Sequence, residues 1–324
     1  MTAQGNAYLL ADIGGTNSRL ALWPGSGRPI EVKSFRNDDY DSGYAVLDAY
    51  LGALGRPDIE GCALAMAGPA EIDSIRLTNR DWHFDRAGVM ATLQDGFDGP
   101  MAFLNDLMAL GYATYAMHPD QTRPLHAGSG FARNGQSFVL ACGTGINGSQ
   151  AVHLNRRVVV ASECDIGPTA VPSPVLGRIV EATEGRFDTN VTVEEILSGR
   201  GVAHLYSLVT GAPADLTSPQ IMARAVPPGT ETSDPAARTV ALLAELTAWL
   251  IHQLNFYYRP ADGFYLGGSV FRALVESLAG EGLIQQYETL GPRPLTQHPP
   301  LSLITDDLAP LSGLALLASE MAEV

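Results

Sequence analysis

The sequence contains a single lysine, Lys33, among its 324 residues. A P-loop needs a lysine directly after its glycines, and a protein kinase needs one on its third strand. Lys33 follows no glycine-rich phosphate loop. Both of these ATP-binding scaffolds are therefore excluded, and any ATP chemistry in this chain must use a different one.

Charged residues are scarce at 17% of the chain, and acidic residues outnumber basic ones to give a net charge of −15. Binding to nucleic acid or to an anionic membrane needs clustered Lys and Arg, so we expect neither partner. The sequence has no run of about 18 apolar residues. Its first residues lack the charged and apolar regions of a signal peptide. We therefore expect a cytoplasmic protein.

Cysteine is also rare, and the three present are Cys62, Cys142 and Cys164. Their spacing matches no zinc motif, and three thiols cannot all pair within one chain. Each has apolar or small neighbours, so we expect buried free thiols and a reducing compartment. The length and the 46% hydrophobic content predict about two domains with sizeable cores.

Apolar patterning along the chain predicts an α/β fold. We expect a hairpin over 7–23 and a loop over 118–136, which is rich in Pro, Gly and His. Further strands are predicted at 30–35, 61–67, 75–79, 101–104, 137–142, 150–153, 157–161 and 263–269, the last of which runs into a glycine turn. Helices are predicted at 44–54, 85–93, 107–115, 238–258 and 308–322, and the rest of the chain after 161 is expected to be mostly helical.

A glycine-rich turn joins the two strands of the predicted hairpin. It contains Asp12, Gly14, Gly15, Thr16 and Asn17. Glycines let an anion approach the backbone, their N–H groups can bind phosphate, and the carboxylate can hold a metal ion. An ordinary hairpin with a glycine turn explains the same segment equally well, because short glycine motifs occur often by chance.

A second turn of this kind, Gly143-Thr144-Gly145, follows the strand predicted at 137–142. The segments LLADIGGTNSRLAL and FVLACGTGINGSQAV thus both consist of a strand, a turn with glycine and threonine, and a second strand. This echo suggests two duplicated α/β domains that face a cleft. One such turn in each half favours a single ligand bound by both.

Asp106 is the first candidate for catalysis. It follows the apolar run MAFL and lies at the carboxyl end of a predicted strand, where α/β sheets bind ligands. A carboxylate there can take a proton from a hydroxyl group, and Asn105 beside it can bind a hydroxyl. The local sequence alone favours a simpler role, in which Asp106 caps the helix that starts at Leu107.

Other polar residues could bind a polyol. Glu163 follows the strand VVVAS, and Glu194 lies near a helix start where Thr192 is a candidate cap. Each carboxylate accepts hydroxyl donors. However, acidic residues are common in the first turn of a helix, and Glu195 fits that explanation as well as Glu194 does. The turn that contains Asn79 has the sequence TNRDW and could be a plain loop.

Taken together, these segments resemble the bacterial glucokinase family, within the hexokinase–actin–sugar kinase superfamily. The resemblance covers nearly the whole chain, with its motifs in order. The matching segments are LADIGGTNSRLAL, LTNRDWHF, FLNDLMALGYA, ACGTGING, EEILSGRGVAHLY and FYLGGSV. They look like the first phosphate motif, a segment near the sugar, the segment with the catalytic Asn-Asp pair, the second phosphate motif, a Glu-x-x-Leu-Ser-Gly segment and the glycine turn beside adenosine.

The resemblance implies a two-domain actin-like (ribonuclease H-like) α/β fold with an inter-domain cleft. The small domain is expected to be 1–107 plus 308–324, and the large domain 108–307. The implied activity is the ATP- and Mg²⁺-dependent phosphorylation of a hexose, glucose first of all, to its 6-phosphate. Family members are often dimers, so the resemblance also implies that the chain can form a homodimer.

The same resemblance implies a role for each matching residue. Asp106 is the base that takes the proton from the sugar 6-hydroxyl, and Asp12 orients Mg²⁺. The sugar-side residues are Asn79, Asn105, Glu163 and Glu194. The phosphate-side residues are Gly14, Gly15, Thr16, Asn17, Gly143, Thr144 and Gly145, with Gly267 and Gly268 near the nucleotide.

One segment departs from the family pattern. The family normally has Gly-Gly-His after its sugar-binding Glu, and the histidine contacts the sugar. Here Glu163 is followed by Cys164-Asp165-Ile166-Gly167-Pro168, and the segment is one residue longer. An unpaired sugar hydroxyl costs about 1–3 kcal/mol, although Asp165 can replace the histidine as an acceptor. Two alternatives stay open: a kinase for a different sugar, and a non-catalytic sugar-responsive homologue.

Overall fold

The computed structural model describes residues 7–94, 96–130, 132–155, 157–188, 190–290 and 298–323. Its strands are β1 (Ala7–Ile13), β2 (Asn17–Trp23), β3 (Ile30–Arg36), β4 (Ile59–Met66), β5 (Ser74–Arg76), β6 (His83–Asp85), β7 (Met101–Asn105), β8 (Thr122–His126), β9 (Gln136–Cys142), β10 (Ile146–Leu154), β11 (Arg157–Cys164), β12 (Gly263–Gly267) and β13 (Leu301–Ile304). Its helices are α1 (Gly43–Ala53), α2 (Arg86–Leu93), α3 (Asp106–Ala113), α4 (Ser173–Ala182), α5 (Val193–Ile196), α6 (Gly199–Thr210), α7 (Ser218–Met222), α8 (Pro235–Tyr258), α9 (Ser269–Glu276), α10 (Gly280–Thr289) and α11 (Ala309–Ala322).

The chain divides into two compact units. The first takes in the described residues up to His118, together with 153–163 and those from Asp306 onward, and the second takes in 119–152 and 164–305. This division differs from the expected domains, 1–107 plus 308–324 and 108–307. Helix α3 lies in the first unit because it packs against α11. Residues 153–163 lie there too, since the Val158 N–H donates to Glu320 on α11 at 2.7 Å.

The sheet of the first unit has the strand order β3-β2-β1-β4-β7. Strands β1, β4 and β7 are parallel, and β1 pairs with β2 as the antiparallel hairpin that the sequence predicts. Alternate side chains of a strand point to opposite faces. Leu9 and Ile13 accordingly share a core with Leu47 of α1, whereas Leu10 shares another with Leu314 of α11. Helices therefore cover both faces at β1, which holds the first glycine turn on a rigid strand.

The strands of the second unit run in the order β10-β9-β12-β13-β8. Strands β9, β12 and β13 are parallel, and β9 pairs antiparallel with β10. The long helix α8 buries Leu243 and Leu246 in one core with Phe138 of β9 and Phe264 of β12. The predicted helix at 238–258 is thereby confirmed, although it begins earlier, at Pro235, after the Asp234 cap.

One expectation about this unit is wrong. The sequence predicts a loop over 118–136, but this segment contains β8, which pairs antiparallel with β13. The chain after 161 is mostly helical, as the sequence predicts, although β13 interrupts it. Strand β8 contains Pro124, a residue that sheets tolerate at an edge, and its short sequence TRPLH lacks apolar alternation. Its strand conformation depends on pairing with a distant segment, which the sequence does not reveal.

The three cysteines, all of which the structure describes, form no disulfide bond, as expected. Cys62 and Cys142 are buried, whereas Cys164 is half-buried, so the expectation of burial is wrong for that residue. Burial raises the pKa of Cys62 to about 12, and the charge of Arg86 opposes this shift only weakly. Cys62 therefore stays a protonated thiol at neutral pH. Within the described ranges, no helix is long and apolar enough to cross a membrane.

Candidate active site

The junction of β7 and α3 holds the Asn105-Asp106 pair. Asn105 has an extended backbone, and its side-chain oxygen accepts the Leu107 N–H at 2.8 Å. Its side-chain nitrogen donates to the Gly68 carbonyl at 3.0 Å. The expected cap is therefore corrected: Asn105 caps the helix, and Asp106 is its first residue. Because the cap is supplied by its neighbour, Asp106 is not needed as the N-cap.

The carboxyl group of Asp106 titrates far above its usual range. Burial is the largest cause, and the charges of Asp12 and Glu163 add to it, so that the pKa of Asp106 is raised to about 7. The N–H of Leu107, which also contacts an Asp106 oxygen at 3.0 Å, opposes the shift. A carboxylate with a pKa near the working pH is well suited to accept a proton.

The first glycine turn is closed by its own backbone and held by a buried asparagine. The Gly14 N–H donates to the Asn17 carbonyl at 2.9 Å. Asn37 donates from its side chain to the Gly14 carbonyl at 2.7 Å and from its backbone to the Thr16 carbonyl at 2.9 Å. It also accepts from the Ser18 hydroxyl at 2.7 Å. No sequence pattern marks Asn37 as functional, because it lies in a short turn after β3.

Asp12 lies at the base of this turn, is buried, and pairs with Arg19 at 3.3 Å. Burial raises the pKa of Asp12, and Arg19 lowers it in opposition. Thr16 and Asn17 are exposed, and a Cβ added at Gly15 would meet nothing within 4 Å. The turn therefore presents hydroxyl, amide and backbone groups to solvent, above a carboxylate.

The second glycine turn is closed in a similar way. The Gly143 N–H donates to the Gly145 carbonyl at 2.8 Å, and the Gly199 N–H donates to the Gly143 carbonyl at 2.7 Å. A Cβ at Gly145 would lie 2.6 Å from Oε2 of Glu194. Thr144 between the two glycines is exposed. Glycine at 145 thus leaves room for the Glu194 carboxylate beside the turn.

Glu194 and Glu195 have different environments. Glu195 forms a capping box with Thr192, whose N–H donates to it at 2.8 Å and lowers its pKa. Glu194 points to the glycine turn instead, where it accepts from Arg200 at 2.6 Å and from the Ile146 N–H at 3.4 Å. The helix-terminus explanation therefore applies to Glu195, and Glu194 stays a candidate for the site.

Gly268 follows β12 in the left-handed region, with a φ of +88°. A Cβ there would lie 2.2 Å from the Cys142 carbonyl oxygen at the end of β9. Gly267, the last residue of β12, is buried and pairs with Ala141 of β9. Glycine is thus required at 268 by both its conformation and the close approach of β9, which brings this turn to the second glycine turn.

Asn79 lies exposed in a tight turn, which the Leu77 N–H closes by donating to the Trp82 carbonyl at 2.9 Å. Arg80 next to it stacks over the Trp82 ring at 5.1 Å and donates to the Asn37 carbonyl at 3.3 Å. It also forms an ion pair with Asp38. Arg80 therefore links the turn that contains Asn79 to the residue that holds the first glycine turn.

Within the first unit, the structure thus links Asp12, Asp106 and Glu163 through charge, and the Asn79 turn to the first glycine turn through Arg80. Within the second unit, it brings together Glu194, the second glycine turn and the Gly267-Gly268 turn. Glycine turns beside strand ends and a carboxylate of raised pKa fit a phosphotransferase of the actin-like class.

The comparisons agree with this class. The structure is similar to the crystal structure of glucokinase from an Antarctic psychrotroph, with a TM-score of 0.76 and 23% identity over 99% of this chain and 100% of that one. That likeness confirms the predicted two-domain actin-like α/β fold. The family model described as Glucokinase matches residues 9–321, and the chain belongs to the glucokinase family. It is therefore a sugar kinase.

Curated relatives support the same family. The chain is 30% identical to a glucokinase of Brucella suis biovar 1 over 330 residues, which cover 96% of this chain and 90% of the relative. It is 28% identical to a glucokinase of Erwinia tasmaniensis over 312 residues, 94% of each chain. The similarity therefore spans whole sequences and is not confined to the glycine motifs.

Proposed function

We propose that the chain transfers the γ-phosphoryl group of ATP to the 6-hydroxyl of glucose, with Asp106 as the general base. The observation that carries this role is the pKa of Asp106, raised to about 7 at the carboxyl end of a buried strand. The sugar O–H proton passes to the Asp106 carboxylate while the sugar oxygen attacks the γ-phosphorus. ADP then leaves, and Asp106 releases the proton to solvent.

The glycine turns supply the phosphate-binding groups in this proposal. Gly14 and Gly143 close the two turns with their own N–H groups. Gly15, Thr16 and Asn17 in the first turn, and Thr144 and Gly145 in the second, are then proposed as the N–H and hydroxyl donors. The turn at Gly267 and Gly268, which lies against the end of β9, is proposed to lie near the nucleotide. Such donors stabilise the negative charge of a transferring phosphoryl group and hold it in line for attack.

We further propose Asp12 as the residue that orients Mg²⁺. Among the described residues, no three His, Cys, Asp or Glu side chains form a group that could hold a metal ion. Mg²⁺ does not require such a group, since it is usually bound by one or two carboxylates, water and the substrate phosphates. A single buried carboxylate below a phosphate turn fits this mode. When bound, the ion would neutralise charge on the phosphates.

The sugar hydroxyls are proposed to bind Asn79, Asn105, Glu163 and Glu194. A carboxylate accepts hydrogen bonds from hydroxyl groups, whereas a side-chain amide can both accept them and donate them. Asn105 uses one N–H for the Gly68 carbonyl, so the second N–H of the same amide would face the sugar. We also propose that the enzyme is cytoplasmic and forms a homodimer, which light scattering after size-exclusion chromatography would test.

A different hexose is the second candidate substrate, and the segment Cys164–Pro168 favours it because it replaces the expected Gly-Gly-His. The two candidates are separated by a panel of hexoses in a coupled assay of ADP release. We expect the highest kcat/KM for glucose. A higher value for another hexose would select the second candidate, and no turnover with any hexose would reject the kinase reading in favour of a non-catalytic homologue.

A further inference from the structure

Asn147 lies on β10, two residues after the second glycine turn, and its side chain reaches a different part of the chain. Its Oδ1 atom accepts the Ile166 N–H at 3.1 Å and the Gly167 N–H at 3.2 Å. Both of these donor residues are buried. Because a buried N–H without an acceptor is costly, this one amide oxygen holds the turn at 164–168 in place.

The turn at 164–168 also contacts Glu194. The Glu194 N–H donates to the Gly167 carbonyl at 3.0 Å. A Cβ added at Gly167 would lie 2.9 Å from Oε2 of Glu194, and one added at Gly145 would lie 2.6 Å from the same atom. The Glu194 carboxylate is therefore packed between two glycines, one from the glycine turn and one from the turn that Asn147 holds.

We infer that Asn147 is a positioning residue for the sugar side of the site, although it lies within the segment that resembles the second phosphate motif. Its amide oxygen fixes the turn that contains Asp165, and through Gly167 it fixes Glu194. The inference rests on the proposed role of Glu194 in sugar binding. It predicts that loss of the Asn147 oxygen weakens hexose binding and leaves nucleotide binding nearly unchanged.

The test compares Asn147→Ala, which removes the acceptor, with Asn147→Asp, which keeps an oxygen acceptor at the same place. Gln150→Ala is the matched control, since Gln150 is another amide on β10 and donates to Gln136. Two readouts are needed: hydrogen exchange at the Ile166 and Gly167 amides, and KM for glucose and for ATP measured separately. If Asn147→Ala does not fold, Asn147→Ser takes its place. The serine oxygen lies one bond closer to the backbone than Oδ1 of asparagine, so it no longer reaches the two N–H groups.

For Asn147→Ala we expect about tenfold faster exchange at both amides and about a tenfold rise in the KM for glucose, with less than about a twofold change in the KM for ATP. Asn147→Asp should restore most of the protection, and Gln150→Ala should behave as wild type. Unchanged exchange at Ile166 and Gly167 would overturn the inference. An equal rise in both KM values would also overturn it, because the residue would then support the phosphate motif.

The experiment distinguishes failure of this inference from failure of the proposed function. If the proposed function fails, the wild-type protein turns over no hexose, and glucose binding measured by calorimetry replaces KM in the comparison. Exchange at the Ile166 and Gly167 amides does not depend on turnover. It therefore accepts or rejects the anchoring by Asn147 whichever sugar the enzyme uses.

Discussion

The negative charge of Asp12 raises the pKa of Asp106. Burial of Asp106 is the largest cause of this shift to about 7, and the charge of Asp12 is the second largest. Asp12 is itself paired with Arg19 at 3.3 Å. The phosphate turn and the proposed base are thus coupled electrostatically within one unit. A cation bound at Asp12 would offset its charge and favour the ionised form of Asp106.

This coupling predicts the pH dependence of the reaction. A general base must be ionised to accept a proton, so kcat/KM should rise with pH and level off above about 7. The measurement is a pH–rate profile from pH 5 to pH 9 in the coupled ADP assay, with the coupling enzymes in excess at each pH. A flat profile between pH 5.5 and 8 would contradict the assignment of this pKa to an essential base.

The carboxyl group of Asp106 should also make the stability of the protein depend on pH. A carboxyl whose pKa is raised on folding keeps a proton that the unfolded chain gives up. It therefore lowers stability progressively as pH rises from about 4 to about 7. Asp106→Asn should relieve this penalty, so that its Tm equals or exceeds the wild-type Tm at pH 8. A Tm below that of the wild type at pH 8, with equal values at pH 4, would contradict it.

Asn37→Ala should disrupt the first glycine turn. The change leaves the buried Ser18 hydroxyl and the Gly14 carbonyl without the partner they now share, which should cost about 1–3 kcal/mol of unfolding free energy. We expect the KM for ATP to rise more than the KM for glucose. Denaturant unfolding and steady-state kinetics measure the two effects, and Asp39→Ala, an exposed neighbour, is the control. A wild-type KM for ATP would rule out this role of Asn37.

Gly268→Ala should be strongly disruptive. The residue has a φ of +88°, and its new Cβ would meet the Cys142 carbonyl oxygen at 2.2 Å, so that backbone must move. We expect a lower Tm and weaker ATP binding. Gly177→Ala is the matched control, because Gly177 lies inside α4 with nothing within 4 Å of the added atom. That change should stabilise the protein by about 0.5–1 kcal/mol. Similar Tm values for the two variants would contradict this account.

Asp165→Ala tests the altered sugar segment. Asp165 is exposed in the turn that replaces the expected Gly-Gly-His. If it accepts a hydrogen bond from a sugar hydroxyl, its loss should raise the KM for glucose by about tenfold and change the KM for ATP little. Equal changes in the two KM values would refute a role on the sugar side.

The sequence predicted those parts of the fold and site that depend on neighbouring residues. The hairpin around the first glycine turn followed from apolar runs on both sides of it, and the position of Asp106 at a strand end followed from MAFL. The expectation that Asp106 caps α3 was wrong, because Asn105 next to it is an equally good capping residue. In the structure Asn105 is the cap, because its side-chain oxygen accepts the Leu107 N–H at the start of α3.

Contacts between distant segments could not be predicted. Asn37 holds a glycine turn 23 residues away, and Asn147 holds a turn about 20 residues away. Neither stands in a pattern that distinguishes it from an ordinary surface asparagine. The edge strand β8 was missed for the same reason, since its conformation depends on pairing with β13 and its own sequence favours a loop.

The central claim is tested most directly by the turnover of Asp106→Asn with ATP and glucose. The amide has nearly the same shape but cannot accept the proton, so kcat should fall by about 10²–10⁴-fold while the variant stays folded. Asp85→Asn is the control, because the Asp85 carboxylate also binds a backbone N–H at a helix start, at 2.7 Å from Gly88. It should keep wild-type turnover. A folded Asp106→Asn variant that retains the wild-type kcat would contradict the account.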